Sequence, residues 1–314
     1  MRLLDEVAQS AGPLVIDLPG GRSFDLPGAG ASAQALAECP LRYVLDDEVY
    51  VQCMHVVTQW PDLLDPGDAL LRLPVDRLWL EWTEPAAAIF PGEKPQRCGV
   101  FVTSEPGGRR GRVESFWRHP EYGVERAQVC IEFDLDHPIE HRQDGRAFFP
   151  VPQEECLVPA LHGHAVLRVY DEWLAYFRAT RDGIRKLGAI VDGCARQVRS
   201  DLPIILAFCR LLRARATDEK CVERAALNRV RARRGHAVLL DHVEVGMRIG
   251  GGAGGGEPSG QRTRAAARLH LVRGHLVHRN GALFWRSAHM RGALTRQPVR
   301  SRTVRVAMGG ELHI

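Results

Sequence analysis

The segment from Arg268 to Gly292, RLHLVRGHLVHRNGALFWRSAHMRG, concentrates side chains that can act on a phosphate group. It holds five arginines and four histidines around one Asn-Gly pair. Arginine presents a planar fork of donors that fits phosphate oxygens. Histidine titrates near neutral pH, and neighbouring cations favour its neutral imidazole, which can serve as a base. The segment therefore indicates either nucleic-acid binding or cleavage of a phosphodiester.

The Asn280-Gly281 pair predicts a hairpin. Both residue types tolerate positive φ, and Asn-Gly between β-favouring runs is the strongest short-range hairpin signal. A two-residue turn places Arg279 opposite Ala282 and fixes the register of the other pairs. One face then carries Arg273, His275, Val277, Arg279, Phe284 and Arg286, and the other carries Val272, Leu276, His278, Leu283, Trp285, Ser287 and His289. We expect the second face to pack on the core and the first to be cationic.

The cationic face suits nucleic-acid binding. Its arginines would contact phosphates, and Phe284 would stack on a base. RNA or single strands are favoured over duplex DNA, because the pattern is a sheet face with an aromatic ring and contains no recognition-helix motif. The plain structural alternative is a solvated sheet face that long cationic side chains cover.

The same residues suit a metal-independent ribonuclease of toxin type. His275 would be the general base or acid, and Arg273 and Arg286 would stabilise charge on the phosphate. Ser301 and Thr303 alternate with arginines on the last predicted strand and would orient the substrate. Any edge strand can show such an alternation, so these two hydroxyls are a weak signal.

A second basic feature is a predicted helix that ends at Gly235. The stretch before it holds five arginines, Arg224, Arg229, Arg231, Arg233 and Arg234. Arg229, Arg231 and Arg233 would flank the hairpin as further phosphate contacts. The structural alternative is a solvated helix end whose cations suit the negative end of the helix dipole.

The charge distribution divides the 314 residues into two halves. The net charge of the whole chain is +4. From Arg196 onward there are 23 lysines and arginines and 8 acidic residues, whereas the residues before Arg196 include 19 lysines and arginines and 30 acidic residues. A basic half of net charge +15 predicts an acidic partner, or a pairing with the acidic half of net charge −11.

Composition bounds the class of protein. With 45% hydrophobic residues the chain can form a packed core. The N-terminal MRLLDEVAQS has no basic stretch followed by an apolar run, and the apolar run Pro203 to Cys209 is too short to cross a bilayer, so we expect a soluble cytoplasmic protein that does not contact membranes. The eight cysteines form no Cys-x-x-Cys pair, which favours buried free thiols and predicts neither metal nor cofactor.

The order of patterns predicts an α+β fold with three segments. Residues 1–158 contain short apolar runs, PLVIDL, EVYVQCMHVV, DRLWLEW, CGVFVT and AQVCIEFDL, which predict an acidic, mainly antiparallel β-rich domain. Residues 159–235 predict helices, with Asp201 and Thr217 as candidate N-caps and Gly235 as a stop. Residues 236–314 predict a basic β domain with a glycine-rich loop at 250–260.

Two other motifs carry little chemistry. His137-Pro-Ile-Glu140-His141 has the spacing of an inverted zinc-protease motif, but Pro138 and Asp144-Gly145 prevent the sustained helix that such a site needs. The run GGGAGGG lacks the Gly-Lys-Ser/Thr ending of a phosphate loop.

Two blocks resemble uncharacterised proteins encoded by phages and prophages of proteobacteria. The first is LRLPVDRLWLEW, Leu71 to Trp82. The second is LNRVRARRGHAVLLDH followed by the Arg268–Gly292 segment, with Arg273, Gly274, His275, Trp285, His289 and Gly292 at the positions of an Arg-Gly-His, Trp and His-x-x-Gly pattern. The resemblance covers about a third of the chain and implies a mobile-element origin without a transferable activity. A third hypothesis is therefore an assembly or inhibitor protein that pairs with itself or with a phage or host protein.

Overall fold

A nine-stranded mixed sheet organises the larger part of this α+β protein. The computed structural model describes residues 2–10, 12–18, 21–85, 96–119, 123–139, 148–248, 270–272, 275–279, 282–286 and 289–291. The chain divides into two compact units, the first with residues 1–248 and 276–285 and the second with residues 249–275 and 286–314. The boundaries of these two units differ from those of the three predicted segments. That the three segments are separate domains stays a prediction.

The sheet order is β10-β11-β3-β4-β5-β6-β7-β9-β8. Its strands are β3 (Leu41–Leu45), β4 (Arg77–Glu84), β5 (Gln96–Ser104), β6 (Arg110–His119), β7 (Gly123–Asp134), β8 (Phe148–Pro150), β9 (Ala165–Val169), β10 (Thr217–Val222) and β11 (His242–Met247). β3 pairs in parallel with β4 and with β11, and the other neighbours pair antiparallel. The predicted mainly antiparallel arrangement is therefore confirmed. β1 (Leu14–Leu18) and β2 (Arg22–Leu26) form a separate antiparallel pair.

Seven helices occur in the described part of the first unit. They are α1 (Leu3–Ala8), α2 (Ala33–Ala37), α3 (Asp47–Gln59), α4 (Asp171–Ala179), α5 (Gly183–Val198), α6 (Asp201–Arg213) and α7 (Ala225–Arg233). Short 3₁₀ turns lie at Ala29–Ser32, Pro61–Leu64, Gln153–Glu155 and Pro159–Leu161.

Alternating side chains assign a separate core to each face of the sheet. On β4, Leu78 and Leu80 belong to a large cluster that includes residues of α3, α5 and α6, whereas Trp79 belongs to a smaller cluster with Leu3 and Leu4 of α1. Successive residues of a strand point to opposite faces. The long helices therefore cover the first face, and the N-terminal segment covers part of the second.

Helix α3 corrects one prediction. The run EVYVQCMHVV lies in a helix, which the Asp46 side chain caps by accepting a hydrogen bond of 2.8 Å from the Val49 N–H. Its buried residues Val49, Tyr50, Cys53, Val56 and Val57 recur at helical spacing and form one packed face. The apolar run by itself does not distinguish the helical period of 3.6 residues from the strand period of two residues.

The region 159–235 contains strands as well as helices. β9 and β10 lie in the main sheet, so Thr217 begins a strand and does not cap a helix. Asp201 does not cap α6 either, since the N-cap is Ser200 and Asp201 lies buried in the first turn. The stop at Gly235 is confirmed: its φ is +69°, and the His236 N–H donates to the Arg231 carbonyl across the end of α7.

The predicted hairpin strands form as β13 (His275–Arg279) and β14 (Ala282–Arg286), which pair in a two-stranded sheet. In the second unit, β12 (His270–Val272) pairs antiparallel with β15 (His289–Arg291), with Val272 opposite His289. This pair has the register that a two-residue turn at Asn280-Gly281 predicts. The turn residues themselves and the glycine-rich loop lie outside the described residues.

Candidate nucleic-acid interface

The arginine-rich helix α7 projects from the sheet on a short excursion between β10 and β11. The Asn228 side chain holds the returning chain by donating to the Leu239 carbonyl and accepting from the Leu239 N–H, each at 2.8 Å. Arg231 Nε donates to the Ala237 carbonyl at 2.8 Å. No residue of α7 is buried, so hydrogen bonds to the returning segment, and little apolar packing, hold it in place.

Three arginines of α7 and its end point away from this attachment. Arg229, Arg233 and Arg234, which we call the α7 cations, are exposed, and no carboxylate of the described residues lies within ion-pair distance of them. At 100° per residue, Arg229 and Arg233 lie one turn apart, about 100° and 140° around the helix axis from Asn228. Like charges at that spacing destabilise a helix by a few tenths of a kcal/mol.

Ion pairing elsewhere in the first unit follows a different pattern. Arg126 pairs with Glu114 at 2.8 Å, Arg168 with Glu132 at 3.0 Å, and Arg199 of the basic half with Glu155 of the acidic half at 3.0 Å. Acidic residues therefore neutralise arginines across the sheet and partly across the two halves of the chain. They do not neutralise the α7 cations.

The hairpin is attached to the first unit through its predicted core face. Leu276 is buried, and Leu283 and Trp285 pack against the large cluster on the first face of the sheet. The His278 ring lies 5.9 Å from the Trp60 ring, centroid to centroid. The division of the strands into a core face and an outer face is confirmed for Leu276, Leu283 and Trp285, whereas His278, predicted on the core face, is exposed.

The outer face of the hairpin is largely exposed where the structure describes it, although Val277 is half-buried. Arg279 is exposed, and Phe284 exposes 42% of its surface. Arg286, in the second unit, is also exposed. Of the residues in the catalytic hypothesis, Arg273, Ser301 and Thr303 lie outside the described residues, as does the side chain of His275. The ribonuclease hypothesis therefore stays a prediction.

The segment that follows α7 and the hairpin pack on different faces of the sheet. Leu240, which follows α7, packs against the small cluster on the second face, and its N–H donates to Asp5 of α1 at 2.8 Å. The hairpin packs against the large cluster on the first face.

The interior contains titratable groups whose burial the sequence did not predict. Asp201 is buried on the first face, where burial raises its pKa to about 8 although a hydrogen bond from Ser115 opposes the shift. Nearby, burial raises the pKa of Glu84, whose Oε2 lies 3.6 Å from the Cys98 sulfur. No sequence motif signals this cluster, because its members come from strands and helices far apart in the chain.

The histidines and cysteines form no described metal centre. His164 Nδ1 lies 2.7 Å from the Asp134 carbonyl, whereas Glu140 and His141 lie outside the described residues. In the part of the chain that the structure describes, no three His, Cys, Asp or Glu side chains are grouped so as to hold a metal ion. All eight cysteines are free, and Cys221 is exposed.

Comparisons with known proteins give no match: no protein-family model, no curated protein and no solved structure is significantly similar to the chain. The described helices include none with the length and apolar character needed to cross a membrane. The case for a function therefore depends on the side chains themselves.

Proposed function

We propose that this protein binds nucleic acid, with RNA or another single strand preferred, and that the α7 cations contact the phosphate backbone. The observation that carries the proposal is an exposed helix end with three arginines that no described carboxylate neutralises. Phosphate contacts supply most of the affinity in sequence-independent binding, and arginine is well suited to them. The hairpin residues Arg279 and Phe284 are a second candidate contact.

The structural alternative accounts for only part of this arrangement. Cations in the last turn of a helix interact favourably with the negative end of the helix dipole, which explains Arg233. Arg229 lies in the middle of α7, where the dipole gives little stabilisation. Its exposed position one turn before Arg233 favours binding to an external anion.

The test is fluorescence anisotropy with labelled single-stranded RNA at several salt concentrations, with duplex DNA as a comparison. The variant Arg229→Glu/Arg233→Glu/Arg234→Glu should weaken RNA binding at least tenfold. A matched control is Arg178→Glu/Arg181→Glu/Lys186→Glu, which changes the net charge equally through exposed residues of another region. An equal loss of affinity in both variants would show that only net charge matters.

The absence of binding at low salt would reject the proposal. Salt-dependent self-association without nucleic acid would then favour the assembly hypothesis, with the basic half bound to the acidic half of another copy. The origin in a phage or prophage stays a prediction from the sequence.

A further inference from the structure

A cleft on the first unit, separate from α7 and the hairpin, is lined by two further arginines. It lies between residues 72–76 before β4, the turn at Gly107-Gly108 between β5 and β6, and the last turn of α6. Its volume is about 310 Å³. Ligand sites for small molecules start at about this size, so the cleft fits a ligand of about mononucleotide size.

The cleft combines an apolar lining with two cations. Leu73, Val75 and Leu212 contribute apolar surface, and the exposed Arg72 and Arg213 line the same space. Within the described residues, neither arginine has a carboxylate at ion-pair distance. Two exposed guanidinium groups that line one partly apolar cleft suit an organic anion, although Arg213 also interacts with Asp68, whose pKa it helps to lower.

The neighbouring Arg210 differs from Arg213 because it has a carboxylate partner at ion-pair distance. Arg210, one turn before Arg213, pairs with Asp68 and donates from Nε to the Leu63 carbonyl at 2.8 Å. These two bonds hold the Arg210 side chain near the negative end of α6. Arg213 is the last residue of α6, where the helix dipole favours a cation but no described carboxylate pairs with it, while Arg72 lies in an extended segment where no helix dipole accounts for it.

The walls of the cleft are held in place before any ligand arrives. Arg109 donates to the carbonyls of Pro66, Asp68 and Leu71, at 2.7 to 3.0 Å, and so fixes the segment that leads to Arg72. The Leu73 N–H donates to the Gly108 carbonyl at 2.9 Å. A preorganised site loses less conformational entropy when it binds.

We propose that this cleft binds a phosphate monoester, with Arg72 and Arg213 on the phosphate group and the carboxylate of Asp76 accepting a hydrogen bond from a ligand hydroxyl. Asp76 lines the same cleft and is exposed. Its negative charge disfavours a bare polyanion and favours a ligand that carries hydrogen-bond donors beside one phosphate. Such a group occurs in a free mononucleotide and at the 5′ end of an oligonucleotide. The proposal does not depend on nucleic-acid binding by α7.

The test uses the full chain and isothermal titration calorimetry with uridine 5′-monophosphate, and with uridine as the probe that lacks the phosphate. The wild type should bind the monophosphate at micromolar to millimolar concentration and should not bind uridine. Arg72→Ala/Arg213→Ala should weaken monophosphate binding at least tenfold. The control Arg178→Ala/Arg181→Ala, which removes two exposed arginines elsewhere, should not change it.

Two further measurements make the result decisive. Arg72→Lys/Arg213→Lys keeps the charges without the planar forks and should bind with intermediate affinity, which guards against misfolding of the alanine variant.

The second measurement uses the α7 triple variant and compares a 5′-phosphorylated oligonucleotide with its 5′-hydroxyl counterpart. Tighter binding of the phosphorylated form would identify the strand end as the ligand, and equal binding would identify the free nucleotide. Monophosphate binding that the Arg72/Arg213 substitutions leave unchanged, or no binding at millimolar concentration, would overturn the proposal. Loss of RNA binding in the α7 variant with monophosphate binding intact separates the two sites.

Discussion

Ser115 on β6 donates a hydrogen bond of 2.5 Å to the carboxyl group of Asp201 on α6, and both side chains lie in the interior of the first unit. A carboxylate in the first turn of a helix ordinarily faces solvent and the positive end of the helix dipole. Here it is enclosed between helix and sheet, where burial raises its pKa to about 8. The pair therefore links the stability of the fold to pH.

The first prediction concerns that linkage. The pKa of Asp201 is about 8 in the folded protein and close to 4 in the unfolded chain, so the folded state binds more protons between these values. The contribution of Asp201 to stability should be largest below pH 4 and should be lost as the pH rises to 8, by about 1 kcal/mol for each unit. Urea denaturation from pH 5 to pH 8 would measure this slope. Asp201→Asn should have a shallower slope than the wild type, and parallel slopes would contradict the assignment.

A second prediction concerns Glu81, which caps α1 from the sheet. Its two carboxylate oxygens accept hydrogen bonds of 3.0 Å from the Leu3 and Leu4 N–H groups, and only 1% of its surface is exposed. Glu81→Ala leaves both buried N–H groups without partners and should lower the free energy of unfolding by about 3 kcal/mol. Glu105→Ala, at an exposed glutamate, should change it by less than about 0.5 kcal/mol. Urea midpoints that fall equally in both variants would show that Glu81 does not anchor α1.

A third prediction compares the two neighbouring glycines of the cleft. Both have positive φ, +99° at Gly107 and +68° at Gly108. A Cβ on Gly107 would meet no atom within 4 Å, whereas a Cβ on Gly108 would lie 2.6 Å from the Leu73 carbonyl oxygen. Gly107→Ala should therefore lower the free energy of unfolding by only about 1 kcal/mol, which is the cost of a side chain at positive φ. Gly108→Ala should lower it clearly more. Thermal unfolding of the two variants would compare them, and equal losses would exclude the contact with Leu73 as the cause.

A fourth prediction follows from counterion release at α7. Each arginine that neutralises a phosphate of a single strand adds about 0.7 to the slope of log affinity against log salt. Removing the three α7 cations should therefore reduce the slope for single-stranded RNA by about two. An unchanged slope together with weaker binding would mean that these arginines act through the conformation of the helix. The slope from anisotropy titrations distinguishes the two cases.

Local patterns predicted the elements whose determinants lie close together in the chain. The two-residue Asn280-Gly281 spacing predicted the pairing of β13 with β14, and the alternation around it predicted that Leu276 and Trp285 would face the core. Gly235 predicted the end of α7 because only a residue tolerant of positive φ suits that position. These features depend on turn geometry and periodicity, which a few neighbouring residues express.

Other elements depended on partners far away in the chain. The run in α3 is apolar enough for a strand, and its packing against α6 and the sheet selects the helix. β9 and β10 lie in a region of helical composition, yet edges of the large sheet supply their hydrogen bonds. The arginine pair of the cleft could not be predicted either, since Arg72 and Arg213 are 141 positions apart in the sequence.

The sequence by itself determined the class of the fold, the hairpin and its two faces, and the concentration of arginine in the C-terminal half. Among the described residues, tertiary structure decided which of those arginines have carboxylate partners, and it packed the segment after α7 and the hairpin on different faces of the sheet. It also enclosed Asp201 and brought Arg72 to Arg213. Periodicity and turn signals act over a few residues, whereas burial and ion pairing depend on which distant segments the sheet brings together.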